Sequence, residues 1–269
     1  MRLKATEIVY ILLLLITFNT FVSAQSFRNF KWQEGEELVY EVDWEFVYLG
    51  TVTLSNLGKE NINGQDAYHI EVVIESNPLL FWLDHHSKYQ TYMTEDLKVM
   101  RFVSNENIDD VAYNAQYDFD YENKNLKLTL FDEKNPDKTQ VKNIPLKDRL
   151  YDGIALIQFA RISSLEIHKD TVSTFIESKS GDVAFDFSLP QKITKTDAFP
   201  NGIKTVYFNG ELFVTGIAGI TGPFETWYSD DSSRVPILAY MEVFIGQVDI
   251  ELVKWKNWSP NRLIVEIKN

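Results

Sequence analysis

The chain has 269 residues, no cysteine and a formal net charge of −13 at pH 7. This acidic balance opposes binding to nucleic acid or to an anionic membrane surface. The absence of cysteine excludes a disulfide scaffold and a cysteine nucleophile. Aromatic residues make up 14% of the chain, with 13 Tyr and 18 Phe. Because Tyr and Phe favour strands and half-buried sheet faces, this composition indicates a β-rich protein.

The N-terminal segment has the three parts of an export signal. Arg2 and Lys4 form a basic n-region, and residues 8–18 form an apolar h-region. Val22-Ser23-Ala24 is a small-residue cleavage site. The apolar run is shorter than the ~20 residues that a membrane-spanning helix needs. We therefore predict a signal peptide that is cleaved near Ala24.

This division predicts a signal peptide at 1–24 and a single β-rich domain at 25–269. No later apolar run is long and uncharged enough to span a membrane, so we do not expect an integral membrane protein. An exported chain without disulfides fits a bacterial periplasm, or secretion, after cleavage.

Alternation of apolar and polar residues predicts a series of short strands. The pattern is sharpest at 113–121, where Tyr113, Tyr117 and Phe119 share one face. The segment 132–147 is polar, contains two prolines and is predicted to be a loop. Asn209-Gly210 predicts a hairpin turn. Strands are predicted at 37–44, 48–54, 67–75, 88–93, 99–103, 113–121, 126–130, 171–177, 183–187, 205–208, 211–215 and 263–267.

One segment has a helical period. Asp152 is the predicted N-cap, and apolar residues from Ile154 to Ile162 form a broad stripe. Arg161 lies near the C-terminal end, where a cation suits the helix dipole. No alternation of strands with helices is present, which argues against a parallel sheet. The predicted fold is mainly β, an antiparallel, highly curved sheet or open barrel with one packed α-helix.

The segment 226–236, with the apolar run 237–245 behind it, reads as strand, acidic turn and strand. We predict that Trp227, Asp231 and Arg234 stabilise this hairpin. An Asp–Arg bridge across the turn would fix its shape, and adjacent acids in turns usually accept local hydrogen bonds. Catalysis by Asp230 and Asp231 is the less favoured interpretation, because a partner carboxylate cannot be located.

Other motifs give weak signals. His85 and His86 are adjacent, so on a strand they would point to opposite faces, and no metal site is predicted. The glycines at 216, 219 and 222 lack the Gly-Lys-Ser/Thr ending of a phosphate loop. No Gly-x-Ser-x-Gly motif is present. We therefore predict no catalytic residues and no cofactor.

The aromatic faces allow two interpretations. The more favoured one is that they fill the core of a large curved sheet. The other is that the sheet holds an apolar cavity for a lipid-like ligand, with the helix as a lid. In that case Trp44, Tyr117 and Phe119 line the concave face, and the apolar segment 79–83 is the mouth.

Several motifs along the chain resemble those of a family of bacterial exported proteins known as domain of unknown function 3108. They are Gly35-Glu36-x-Leu38-x-Tyr40 with the following Gly50, Tyr151-Asp152 with a helix ending at Arg161, and Trp227-x-Ser229-x-Asp231-x-x-Arg234-x-Pro236 before a strand with Gly246. The resemblance implies a periplasmic or envelope location and a mostly antiparallel β fold. It implies no activity and no catalytic residues.

These observations favour a non-enzymatic envelope protein. It would bind an apolar or amphipathic ligand, or an envelope protein partner. The alternative is a hydrolase acting on an envelope polymer through Asp230, Asp231 or His85.

Overall fold

The computed structural model describes residues 30–108, 111–132, 135–216, 219–243 and 246–265. The predicted signal peptide and its cleavage site lie outside these residues. Within the described ranges, no helix has both the length and the apolar character needed to cross a bilayer.

The described chain forms fifteen strands and one α-helix. The helix, α1, is Gly153–Ser163, and one turn of 3-10 helix is Pro136–Lys138. The strands are β1 Glu37–Trp44, β2 Val47–Ile62, β3 Gln65–Ser76, β4 His85–Met93, β5 Val99–Ile108, β6 Val111–Asp120, β7 Asn125–Phe131, β8 Gln140–Pro145, β9 His168–Ile176, β10 Lys179–Phe187, β11 Gln191–Thr194, β12 Ile203–Leu212, β13 Gly222–Ser229, β14 Pro236–Val243 and β15 Gly246–Lys256.

All the strands belong to one antiparallel sheet. Its order is β8-β7-β6-β5-β4-β3-β2-β1-β15-β14-β13-β12-β10-β9, with β11 paired to β12. The chain therefore begins in the middle of the sheet and builds one half outward to β8. It then crosses to the other edge and builds the second half inward to β15, which pairs with β1.

The crossover shows that the sheet is strongly curled. Only residues 146–167 connect β8 at one edge to β9 at the other, and the helix within them rises about 1.5 Å per residue. This connection limits the distance between the two edges, and direct contacts show that the two halves of the sheet meet. Side chains close the gap, since the Tyr117 ring on β6 lies 5.3 Å from the Phe175 ring on β9. The Ser178 N–H also donates to Tyr117 Oη at 3.2 Å. The predicted curved sheet with one packed helix is confirmed.

Three local predictions were wrong. Asn209-Gly210 does not form a turn but lies inside β12. A glycine is needed at position 210, since a Cβ there would lie 2.3 Å from both Ala184 O and the Phe224 ring. The predicted loop 132–147 contains the exposed edge strand β8. The segment 263–267 forms only a bridge between Ile264 and Ile203 within its described part. The glycine in β12 thus serves close packing between neighbouring strands.

The N-cap prediction for the helix is confirmed. Asp152 Oδ1 accepts hydrogen bonds from the backbone N–H groups of Ile154 and Ala155, at 2.8 and 2.9 Å. It also accepts one from the Thr91 hydroxyl on β4 at 2.9 Å, which ties the start of the helix to the sheet. Asp152 Oδ2 is buried and has no hydrogen-bond partner among the described residues. Burial raises the pKa of Asp152 from 3.8 to about 6, although these hydrogen bonds oppose the rise.

Replacing Asp152 with asparagine is expected to change how stability depends on pH. In the folded protein the carboxyl group holds its proton to a higher pH than in the unfolded chain, so wild-type stability falls as pH rises from about 4 to 6. The change from 3.8 to about 6 corresponds to about 3 kcal/mol. Asparagine caps equally well and does not titrate.

Urea unfolding of the wild type and of Asp152→Asn across this pH range tests the expectation. The free energy of unfolding of the variant should rise relative to the wild type by up to about 3 kcal/mol from acid to neutral pH. A difference that stays constant with pH would contradict it. Asp152→Ala serves as the control, since it does not titrate but lacks the cap: its free energy of unfolding should run parallel to that of Asp152→Asn across the pH range and lie about 1 kcal/mol below it.

Candidate functional site

An apolar cavity lies between the helix and the inner face of the curled sheet. Its volume is about 720 Å³, within the range of small-molecule sites, roughly 300–1,000 Å³. Both halves of the sheet contribute to its wall, because β1 to β3 and β12 to β15 all present side chains to it. The cavity is therefore a product of the whole fold.

The helix supplies one side of the cavity. Gly153, Ile157 and Ala160 face it, and their spacing of four and three residues places them along one stripe. The opposite side of the helix packs into the core through Ala155, Phe159 and other buried residues. A helix that is apolar on both sides can cover the cavity without exposing an apolar face to water.

Neighbouring strands supply the facing wall. Ala239 on β14 lies between Thr226 on β13 and Ile250 on β15 in the sheet register. All three residues line the cavity. Ala239 has the smallest side chain of the three, so its position leaves open space in front of the sheet. The inner-face alternation of these strands thus determines the shape of the wall.

The cavity reaches the surface at the β1–β2 turn and the β3–β4 loop. Leu49, Trp82 and Leu83 line it there, and Trp82 is 49% exposed. Asn77 ties the two segments together, since its backbone N–H donates to Leu49 O at 2.7 Å and its side chain to Tyr48 O at 3.0 Å. The structure thus places Trp82 and Leu83, from the segment predicted as a mouth, at the cavity.

Large apolar side chains project into water beside this opening. Phe46 is 101% exposed and Phe81 is 97% exposed, with Leu79 also on the surface. We call Phe46, Leu79, Phe81 and Trp82 the apolar rim. Single exposed apolar residues are normal, but a group of four around the entrance of an apolar cavity is a feature of interaction sites.

Two carboxyl groups lie at another part of the cavity lining. Glu106 belongs to β5, and Glu177 occupies the turn between β9 and β10. Burial raises the pKa of Glu106, while hydrogen bonds from the Ser104 and Tyr89 hydroxyls lower it. Burial also raises the pKa of Glu177, and the charge of Glu106 raises it further. Glu177 is therefore close enough to Glu106 for the charge of Glu106 to affect its pKa.

The predicted ligand-binding residues Trp44, Tyr117 and Phe119 are not among the residues that line this cavity. Tyr117 and Phe119 are buried in the aromatic core, where the Tyr117 ring also lies 5.1 Å from Phe102. Trp44 is half-buried at the end of β1. A ligand-binding proposal has to rest on the lining residues instead.

The acidic turn after β13 is held by many hydrogen bonds. Asp231 Oδ1 accepts from the Ser229 hydroxyl at 2.8 Å and from the Ser233 and Arg234 N–H groups at 3.0 and 3.1 Å. Asp231 Oδ2 accepts from Trp258 Nε1 at 3.0 Å. Arg234 donates to Asp230 Oδ1 at 2.8 Å, which is the predicted bridge across the turn. Both carboxylates therefore have structural partners.

The side chains of Trp227 and Arg234 point in different directions and make different contacts. The Trp227 ring lies on the outer face of the sheet, 5.2 Å from the Tyr207 ring and 5.1 Å from the Tyr240 ring. Arg234 reaches inward and donates to Ser164 O at the C-terminal end of the helix at 3.1 Å. A guanidinium at this end suits the helix dipole. Arg234 thus joins the turn to the helix, while Trp227 packs across neighbouring strands.

Arg161 forms a buried ion pair. Its NH1 and NH2 groups donate to the two oxygens of Glu36 at 2.7 and 3.0 Å, and its Nε donates to Ser233 O at 3.0 Å. The two side chains are 3% and 4% exposed. The pair joins the start of β1, the helix and the acidic turn. From the sequence, Arg161 was predicted only to interact with the helix dipole. Its pairing with Glu36 could not be predicted, because the two residues are 125 positions apart in the chain.

Neither histidine in the pair 85–86 belongs to a metal site in the described part of the chain, where no group of three suitable ligands is found. His86 contacts Glu75 and Asp84 on the outer surface, and Glu75 raises its pKa through a hydrogen bond. His85 lines the cavity. The two histidines therefore occupy different faces, as the alternation on a strand predicts.

Apart from Trp82, Leu83 and His85, sequence reasoning did not assign the residues that line the cavity. Leu238, Ala239 and Met241 were noted only as part of an apolar run, and Glu106 was not singled out. The sequence did contain one indication of Glu106, because this carboxylate lies on the face of β5 that is otherwise occupied by buried residues such as Phe102. That position needs an explanation, because an inward-facing charge is costly.

A model of the family described as protein of unknown function (DUF3108) matches residues 39–253. No curated protein matches the chain significantly. The chain is similar in structure to a beta-barrel-like protein of domain of unknown function DUF1849 from Brucella abortus, with a TM-score of 0.55 and 10% identity. That match covers 83% of this chain and 97% of the Brucella chain, and it supports the fold alone.

Two further solved structures cover similar shares with lower scores. A Bacteroides fragilis protein, provisionally described as exported and with a YmcC-like fold, has 10% identity and a TM-score of 0.34. It covers 84% of this chain and 98% of its own. A protein from Parabacteroides distasonis, provisionally described as a lipoprotein, has 11% identity and a TM-score of 0.32. The match covers 85% of this chain and 98% of the Parabacteroides chain.

Proposed function

Because the chain belongs to the DUF3108 family of proteins of unknown function, its role has to be derived from its own residues, and we propose that it binds an apolar or amphipathic small molecule in the cavity under the helix. The observation that carries this proposal is a cavity of about 720 Å³ with a nearly continuous apolar lining. Covering such an apolar surface with an apolar ligand is favourable, because it removes that surface from water.

The shape of the site supports a ligand with a chain or an extended apolar body. The cavity runs from the helix stripe at Ile157 and Ala160 to the opposite wall at Ala239 and reaches the surface beside Trp82. The apolar rim would let such a ligand enter without crossing a polar surface. A small molecule is favoured over a protein partner, because the apolar lining forms a concave site, which is the shape that small-molecule sites have.

The predicted export signal places this binding in the bacterial envelope. In an aqueous periplasm, a molecule with a long apolar chain needs a protein that shields it from water. We propose that the protein holds or carries such a molecule. The hydrolase alternative, which relied on Asp230, Asp231 or His85, gains no support: the two aspartates are engaged in the acidic turn, and His85 lines the apolar cavity.

Titration with straight-chain alcohols of increasing length tests the proposal. Each added CH2 group that enters the cavity contributes about 0.8 kcal/mol, so the Kd should fall about fourfold per carbon. The trend should stop once the chain exceeds the cavity. Displacement of a fluorescent apolar probe measures each Kd. An absence of binding along the whole series, or a Kd independent of chain length, would contradict the proposal.

A further inference from the structure

Most of the ionisable side chains around the cavity are acidic. The described lining contains Glu75, Glu106 and Glu177, while His85 is its one side chain that can carry a positive charge and no Lys or Arg is among its residues. Glu75 points outward and contacts His86, so its charge is directed away from the cavity. The remaining two carboxyl groups, Glu106 and Glu177, are those able to meet a ligand.

Glu106 has a fixed position inside the curled sheet. It follows Phe102 and Ser104 on the inner face of β5, and the hydroxyls of Ser104 and Tyr89 hydrogen-bond to it. These donors occupy part of its hydrogen-bonding capacity, and a carboxylate has about four acceptor sites. Glu106 can therefore accept further hydrogen bonds from a ligand.

Glu177 is held on the facing side. It occupies a two-residue turn with Ser178, and both residues have positive φ angles, 47° and 63°. The turn is anchored to β6 by the hydrogen bond from Ser178 N to Tyr117 Oη. Its neighbour Lys179 is a nearby cation and lies on the exposed side of the hairpin.

An arrangement of this kind discriminates between polar end groups. A carboxylate or phosphate on the ligand would meet two acidic groups and no Lys or Arg of the lining, since Lys179 lies on the exposed side of the hairpin, and repulsion is stronger where water is partly excluded. A hydroxyl or an ammonium group would instead donate hydrogen bonds to Glu106 and Glu177. The apolar wall contacts the ligand's hydrocarbon chain equally in both kinds of ligand, so the polar end group determines the selectivity.

We propose that Glu106 and Glu177 are specificity-determining residues, which select apolar ligands whose polar end is a hydrogen-bond donor, hydroxyl or ammonium, and reject those with an anionic end. This inference rests on the proposed binding function and adds the chemical class of the ligand.

Three probes with the same chain test the inference at neutral pH: dodecanol below its solubility limit, and dodecylamine and dodecanoate below their critical micelle concentrations. The wild type should bind dodecanol or dodecylamine at least about tenfold more tightly than dodecanoate. Preference for the amine over the alcohol would identify a cationic end, and the reverse a neutral one. Both of these results support the inference.

The variant Glu106→Gln/Glu177→Gln removes the two charges and keeps the side-chain shapes. It should bring the Kd of dodecanoate to within about threefold of that of dodecanol. The matched control, Glu122→Gln/Glu211→Gln, removes two exposed charges outside the cavity and should retain the wild-type ratio. If the double variant does not fold, Glu177→Gln alone, in an exposed turn, should still shift the ratio in the same direction.

The outcomes separate the two proposals. If the wild type binds dodecanoate as tightly as the alcohol and the amine, or if the ratio is the same in both double variants, the inference about Glu106 and Glu177 is overturned while ligand binding stands. If none of the three probes binds to the wild type, the proposed function itself fails.

Discussion

Replacing Arg161 with alanine is expected to lower the free energy of unfolding by about 3–5 kcal/mol. The variant would leave the carboxylate of Glu36 buried at 4% side-chain exposure without its partner, and Ser233 O without two donors. A buried unpaired charge is among the few defects that cost this much. Because total stabilities are typically about 5–15 kcal/mol, much of the folded population could be lost. Urea unfolding followed by tryptophan fluorescence measures the change.

Two further variants show whether burial is the cause. Arg149→Ala breaks the exposed pair with Asp96, whose side chains are 39% and 61% exposed, and should cost about 1 kcal/mol or less. Arg161→Lys keeps the charge but not the fork of donors, so it should fall between wild type and Arg161→Ala. It also gives a measurable value if the alanine variant does not fold. Equal losses for Arg161→Ala and Arg149→Ala would contradict this account of the buried pair.

Replacing Ala239 with tryptophan is expected to weaken ligand binding at least about tenfold. The indole ring would project from β14 into the cavity and displace part of the ligand chain. Loss of about two buried CH2 groups, at about 0.8 kcal/mol each, corresponds to this change in Kd. The fold should tolerate the ring because the cavity offers it space. Titration with the tightest-binding straight-chain alcohol measures the effect.

Ala112→Trp is the matched control, since Ala112 lies exposed on β6 and outside the cavity lining. It should leave the Kd unchanged. Ala160→Trp places the same ring in the cavity from the helix side and should repeat the loss seen with Ala239→Trp. If both lining variants bind as tightly as wild type while remaining folded, the ligand does not occupy this cavity.

Much of the strand pattern is readable from the sequence because alternation is local. Predicted β1 coincides with the observed Glu37–Trp44, and the hairpin of β6 and β7 is present. Gly50, in β2, also shows a local effect, since a Cβ there would lie 2.2 Å from Glu75 O, and a glycine inside a strand often marks such a close backbone approach. Strand alternation depends on residues that are close together in the sequence, so a short stretch of sequence is enough to predict it.

The remaining elements depend on partners far along the chain. Strand β15 was not predicted, although it pairs with both β14 and β1 in the centre of the sheet. Its polar residues, such as Asp249 and Glu251, obscure its apolar face, and its pairing with β1 links segments about 200 residues apart. No local pattern carries that information. Strand β8 was missed for a related reason, because it is an exposed edge strand whose polar residues and Pro145 hide the alternation of apolar and polar residues.

The cavity could not be placed from the sequence, because lining and filling residues look alike. Tyr117 and Phe119 have the same alternation as the true lining residues, yet they are buried at the closing seam of the sheet. Which aromatic residues fill the core depends on the strand order and on where the helix lies. The acidic turn was easier to interpret, since Asp231 bonds mainly to residues two and three positions away.

Native mass spectrometry of the wild-type protein, purified from a bacterial envelope, tests the central claim most directly. Ligand binding in the cavity predicts a lipid-sized adduct that is lost on mild activation, and less of that adduct on Ala239→Trp prepared in parallel. The mass of the adduct would also identify the ligand class. A wild-type spectrum with only the bare protein mass, identical in loading to that of Ala239→Trp, would contradict the claim.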